Sequence, residues 1–179
     1  MKESWVVIAT LFVGIVGFFV ESIYLNLFVN RLNFGGNIGR EFIFPDNIKS
    51  QRLVMDDTLV ELYDNTYSVV VYLDSTNCIP CKLSLPKWEE FVNQYDSCQE
   101  LNFICAVRVT DEREIAILQK QQRSRLPIYM DKNGFIESNN HIDAGDVNVF
   151  LLDTNNRIIA IGDPLTNLMI EKIYDKHLK

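Results

Sequence analysis

Cys78-Ile-Pro-Cys81 is the place in this chain where reactive side chains fall at a chemically telling spacing. Three chemistries use such a pair: haem attachment, zinc binding and thiol–disulfide exchange. Haem attachment needs a histidine directly after the second cysteine, and Lys82 stands there. Structural zinc needs a second close pair of soft ligands. Cys98 and Cys105 are seven apart and His141 and His177 are isolated, so no metal is expected. Exchange needs a thiol at the mouth of a helix, where unpaired backbone N–H groups and the helix dipole stabilise a thiolate. Cys78 is therefore the candidate nucleophile, which attacks a partner's disulfide to give a mixed disulfide. Cys81, one turn into the helix, is the candidate resolving thiol. Pro80 falls in the first turn, where its missing N–H costs little and its ring stiffens the loop. No cofactor is expected beyond a redox-active Cys78–Cys81 disulfide. The bland alternative is an inert staple or two ordinary buried cysteines.

The flanking sequence supplies the elements that must position this pair. Ser68 to Leu73 is a continuous apolar, β-branched run, the pattern of a strand buried on both faces. It runs through Asp74-Ser-Thr-Asn77 into the cysteines. After them Leu85, Trp88, Phe91, Val92 and Tyr95 recur at helical spacing. Leu101 to Val109 and Leu126 to Met130 read as further core strands, the latter followed by an Asp131-Lys-Asn-Gly134 turn. Thr110 is positioned to cap a helix between them, with Asp111 and Glu112 in its first turn. Val147 to Leu152 and Arg157 to Ile161 flank Asp153-Thr-Asn-Asn156, a hairpin signal. Leu168, Ile170, Ile173, Tyr174 and Leu178 give a closing helix. Shorter strands are expected at Glu41 to Phe44 and, on a weaker pattern, at Leu59 to Tyr63. The order β-α-β-α-β, hairpin, α predicts a mixed central sheet flanked by helices, an α/β fold.

The N-terminus has a different character. Ser4 to Val20 carries no charge, and its seventeen residues would span about 25 Å as a helix. Trp5 and Tyr24 are spaced as two interfacial aromatic anchors. Phe18-Phe19-Val20-Glu21 is a poor cleavage site for a secretory signal. Residues 1–31 are read as an uncleaved signal anchor forming a transmembrane helix, 32–39 as a glycine-rich linker, and 40–179 as one domain. With Lys2 before the span, the simplest topology leaves that domain on the extracytoplasmic, periplasmic side. The net charge of −7 lies after residue 31 and no basic stripe accompanies it. This argues against nucleic acid as a partner. Lys120, Arg123 and Arg125 are read as a solvated helix face, Cys105 as a core residue, and Cys98 as an exposed thiol in a polar loop.

At Val69-Val-Val-Tyr-Leu73, Cys78-Ile-Pro-Cys81 and Pro86 the chain resembles the thioredoxin superfamily, and in particular its membrane-anchored redoxin (TlpA-like) branch. Pro86 stands where thioredoxins carry their helix-kinking proline. Leu126 to Gly134 looks like the extra strand and turn of redoxins, and Val149 to Gly162 like the closing hairpin. The resemblance implies a thioredoxin-like fold over roughly residues 40 to 179. It also implies extracytoplasmic thiol–disulfide exchange, with exported protein thiols and disulfides and a membrane or extracytoplasmic redox partner as the molecules it meets. Three positions depart from the family. Val147 stands at the position of the cis-proline that faces the cysteines, Asn77 replaces the tryptophan before the first cysteine, and Tyr72 replaces the buried acid that deprotonates the resolving thiol. Asp74 is a candidate substitute for that acid, although its context reads more like a solvated turn. Two other functions compete. One is a thiol peroxidase, since Ser75-x-x-Cys78 is similar to the hydroxyl-x-x-Cys of peroxiredoxins, although Val71 stands where their proline would. The other is a non-catalytic thioredoxin-like module that binds a partner or senses redox state.

Overall fold

The computed structural model describes residues 37–45, 66–74, 79–95, 101–109, 111–124, 126–142 and 147–179. The chain divides into two units, Met1–Gly36 and Asn37–Lys179, and every described residue belongs to the second. The expected membrane anchor, the Leu59–Tyr63 strand, Ser75, Asn77, Cys78, Cys98, Thr110 and Arg125 lie outside the described residues. Among those described, no helix is long and apolar enough to cross a membrane.

Five strands form one sheet in the order β3-β2-β1-β4-β5. They are β1 (Ser68–Leu73), β2 (Asn102–Val107), β3 (Ile128–Met130), β4 (Val147–Leu152) and β5 (Ile158–Ile161). β1 is the central strand. It pairs in parallel with β2 and antiparallel with β4, and all six of its residues are buried. That two-faced burial is why the run is uniformly apolar and β-branched rather than alternating. Val70 and Tyr72 face a cluster that includes Phe42, Ile104, Phe150 and Ile136. Ile136 belongs to α4 (Phe135–Asn140). On the opposite face Phe103 meets Trp88 of α2 (Leu85–Tyr95) at 5.6 Å between ring centroids. Phe91 of α2 in turn meets Tyr174 of α5 (Leu168–Leu178) at 6.0 Å. Aromatic pairs of this kind are worth roughly 0.5–1.5 kcal/mol each beyond their buried area. The mixed sheet flanked by helices is as expected.

Several details differ from the expectations. Glu41–Phe44 forms no strand; Glu41 makes a single antiparallel bridge to Arg157. Gly39 N–H donates to the Ile158 carbonyl at 2.8 Å and Ile158 N–H to the Arg40 carbonyl at 2.9 Å, so this segment runs along β5. Its far end is held by Asn140, whose carboxamide accepts from Ile43 N–H at 2.7 Å and donates to the Ile43 carbonyl at 2.9 Å. The cap of α3 (Glu112–Gln122) is Asp111, whose carboxylate accepts from Arg113 N–H. Leu168 is 74% exposed, because the apolar face of α5 is carried by Ile170, Tyr174 and Leu178. The hairpin turn is as read. Asp153 accepts from the N–H groups of Asn155 and Arg157, both at 2.8 Å, and Asn156 takes the left-handed conformation with φ 58°.

Candidate functional site

The carboxyl ends of the parallel strands converge on one end of the sheet, where ligands and chemistry gather in open α/β folds. β1 ends at Leu73 and is followed by Asp74, which is only 2% exposed. The sequence Asp-Ser-Thr-Asn suggests a solvated turn, and burial of Asp74 corrects that reading. Five residues after Asp74 the chain enters α1 (Ile79–Lys82), a single helical turn. Ile79 is buried and anchors that turn, whereas Pro80 and Cys81 are exposed. Cys81 is disulfide-bonded, and the other sulfur of that bond lies outside the described residues. Cys105, in the interior of β2, is free and buried as expected, and burial pushes its thiol up to about 12.

A continuous helix was the expectation after the second cysteine, with Pro86 kinking it. Instead the helix breaks. Leu83 N–H still donates to the Ile79 carbonyl at 2.9 Å, but residues 83 and 84 leave the helix and α2 starts at Leu85. Pro86 explains the position of the break. It has no N–H for the Lys82 carbonyl, and its ring would clash there, whereas in the first turn of a new helix it is tolerated. The groups freed by the break find a partner on α3. Gln122 accepts from Leu85 N–H at 2.7 Å and donates to the Leu83 carbonyl at 2.6 Å. Ser124, just beyond α3, donates to Glu89 of α2 at 2.8 Å.

Tyr72 stands where the family's buried acid was expected, and it is no proton acceptor. Its hydroxyl donates to Glu137 at 3.2 Å, with Asp131 at 3.4 Å. Burial, together with the negative charges of Asp131 and Glu137, pushes its phenol far above the usual value. Asp131 is itself buried and caps α4, accepting from Phe135 N–H at 2.7 Å and Ile136 N–H at 2.9 Å. Arg108, just past β2, pairs with Glu137 at 2.7 Å. The hydrogen bond to Glu137 and the charges of Glu137 and Asp74 hold its guanidinium protonated. Gly134, with φ 66°, lets that guanidinium pass close by, since a Cβ there would lie 3.3 Å from Arg108 Cζ. Val147 opens β4 directly across from Leu73, at the same end of the sheet as Asp74. No cis peptide bond occurs among the described residues.

Asp74 directly follows β1 and Val147 stands across from Leu73 at the same end of the sheet; Pro80 and Cys81 lie on α1, and Pro86 lies in the first turn of α2. Gln122, Arg108, Asp131 and Glu137 were not singled out from the sequence. Gln122 offers no local signal, because its two partners are 37 and 39 residues away. Asp131 did carry one: an acid followed by Lys-Asn-Gly can end a strand and also start a helix. Among the described residues, no group of His, Cys, Asp and Glu could hold a metal ion.

No family model matches the sequence, and no curated protein does. Solved structures do match. The C-terminal domain of a provisionally named thiol-disulfide oxidoreductase from Bacteroides thetaiotaomicron is 14% identical, with 79% of this chain and 95% of that chain covered at a TM-score of 0.61. A provisionally named protein disulfide isomerase from the same organism is 15% identical, covering 80% and 89% at a TM-score of 0.57. The thioredoxin domain of a thiol-disulfide oxidoreductase from Bacteroides vulgatus is 12% identical, covering 65% and 81% at 0.53. At such identities the likeness is one of fold: a mixed α/β, thioredoxin-like fold.

Proposed function

We propose that this thioredoxin-fold chain is a membrane-tethered, extracytoplasmic thiol–disulfide oxidoreductase, with Cys78 as nucleophile and Cys81 as resolving thiol. The observation that carries the reading is the placement of Cys81. It is exposed on a single helical turn, directly downstream of the central strand and of a buried carboxyl group. In the reductive direction the Cys78 thiolate attacks one sulfur of a partner's disulfide. A mixed disulfide forms, and the partner's other sulfur leaves as a thiolate that takes up a proton. Cys81, deprotonated, then attacks Cys78; the mixed disulfide breaks and the second partner sulfur leaves. The partner's disulfide is reduced by two electrons and the Cys78–Cys81 pair is oxidised by two. A dithiol redox partner in the membrane or outside it restores the pair.

Asp74 serves as the acceptor for the Cys81 proton. Tyr72 is disqualified by its phenol's high proton affinity, and Asp74 is the carboxyl group at the strand end that feeds the motif. Residues 1–31 supply the tether, which raises the local concentration of the exchange site near membrane partners. Val147 favours a second reading, a non-catalytic module that binds a partner. It opposes Leu73 where relatives of the superfamily carry the proline that docks substrate backbone.

Trapping separates the two. In membranes holding the full chain, Cys81→Ser is expected to accumulate mixed disulfides through Cys78, and Cys78→Ser almost none. Equal trapping by both variants, or none by either, would sink the exchange mechanism and leave the binding module.

A further inference from the structure

We propose that Gln122 is a positioning residue for thiol exchange, acting through the break between α1 and α2; this deepens the oxidoreductase reading and rests on it. In a continuous helix Leu85 N–H would donate to the carbonyl four residues earlier, which is that of Cys81 itself. Here Leu85 N–H is diverted to the Gln122 side-chain oxygen at 2.7 Å, while the Gln122 amide donates to the Leu83 carbonyl at 2.6 Å. One carboxamide, with one donor and one acceptor engaged, thus pins both lips of the break. Pro86 cannot close it from the other side, because it has no N–H to offer. The turn that carries Cys81 is therefore separated from α2 but held at a fixed place by α3.

That arrangement bears on redox chemistry because an intramolecular disulfide is only as stable as the effective concentration of one sulfur at the other. With the clamp in place the Cys81 turn is held in one arrangement, which keeps the effective concentration of its sulfur high. Without it, Leu83 loses its partner and Leu85 N–H is free to return to the Cys81 carbonyl. The turn then samples more arrangements, and the disulfide becomes easier to reduce. A neighbouring glutamine provides the contrast. Gln119 lies on the same helix and is buried, but its amide donates to the Leu126 carbonyl at 2.8 Å, away from the break.

The full-length chain is equilibrated with reduced and oxidised glutathione, quenched with acid, and the oxidised fraction of the Cys81 peptide read by mass spectrometry. Gln122→Ala is expected to weaken the disulfide about tenfold, equivalent to about 30 mV for a two-electron couple. Gln122→Glu keeps the acceptor for Leu85 N–H and is expected to shift it less. Gln119→Ala is expected to lower the unfolding midpoint yet leave the exchange constant at the wild-type value. A Gln122→Ala chain that is folded and within twofold of wild type overturns the proposal, as does an equal shift in Gln119→Ala. If Gln122→Ala does not fold, Gln122→Glu decides: no shift against wild type overturns it. A wild-type chain that forms no Cys78–Cys81 disulfide at any glutathione ratio overturns the oxidoreductase reading, and this proposal falls with it.

Discussion

The hydroxyl of Tyr72, on the central strand, donates to the carboxylate of Glu137 on α4 at 3.2 Å. This central-strand hydroxyl is thus a donor, tied into a network that includes Asp131 and, through Glu137, Arg108. The consequence is a division of labour along one strand. Tyr72 joins the sheet to α4, and in the proposed mechanism the acid–base work falls two residues on, to Asp74.

Tyr72→Phe is accordingly expected to cost about 1 kcal/mol of stability, the net worth of a buried hydrogen bond, and to leave the pH profile of exchange in place. Asp74→Asn is expected to do the opposite. Resolution of the mixed disulfide slows by about tenfold or more, and its pH profile moves to higher pH, because Cys81 must then lose its proton to water. Stopped-flow measurement of mixed-disulfide decay against pH tests both variants, and an unchanged profile in Asp74→Asn removes Asp74 from the mechanism.

Asp131 holds the two first N–H groups of α4 while buried. Asp131→Ala leaves both without an acceptor and is expected to cost about 2–3 kcal/mol. Asp131→Asn presents an amide to one of those donors and is expected to recover less than half of that. Urea denaturation midpoints supply the comparison. The Arg108–Glu137 pair is half-exposed, so Arg108→Ala is expected to cost well under 1 kcal/mol by the same measurement.

Tyr95 donates to Asp175 at 2.5 Å, from α2 to α5. That bond, with help from Lys179, holds the Asp175 carboxyl below its usual range. A carboxyl with a depressed folded-state pKa adds stability above its unfolded value, near 3.9, and loses it as the pH falls through the folded value. Tyr95→Phe is therefore expected to be destabilised by about 1 kcal/mol at pH 7, with a deficit that shrinks below about pH 4. Thermal unfolding of both chains between pH 3 and about 7 checks the sign; a deficit that grows on acidification contradicts the assignment.

How far the sequence disclosed this depended on whether the determining contacts were local. β1 is legible because burial on two faces admits little but a β-branched apolar run. The β4–β5 hairpin is legible because Asp153 and Asn156 carry their turn chemistry within five residues. α4 was missed: its six residues, Phe-Ile-Glu-Ser-Asn-Asn, have almost no apolar period. It is set by the Asp131 cap and by Tyr72, which lies 65 residues from Glu137. Leu168 fitted the helical spacing of α5 but sits in its first turn, beyond the reach of the sheet. At the candidate site the cysteine motif and Pro86 were plain, whereas the burial of Asp74 and the Gln122 clamp arise only when distant segments meet.

The strip of main chain from Gly39 to Phe42 that lies beside β5 has a bearing on the company this protein would keep. Were exported chains its partners, as proposed, it would meet polypeptides before they are folded, with unsatisfied backbone seeking a sheet to join. A raw rim would invite them to add as an extra strand and linger, or to seed aggregates. By laying its own backbone along that rim, the domain leaves any other chain fewer open backbone groups to join.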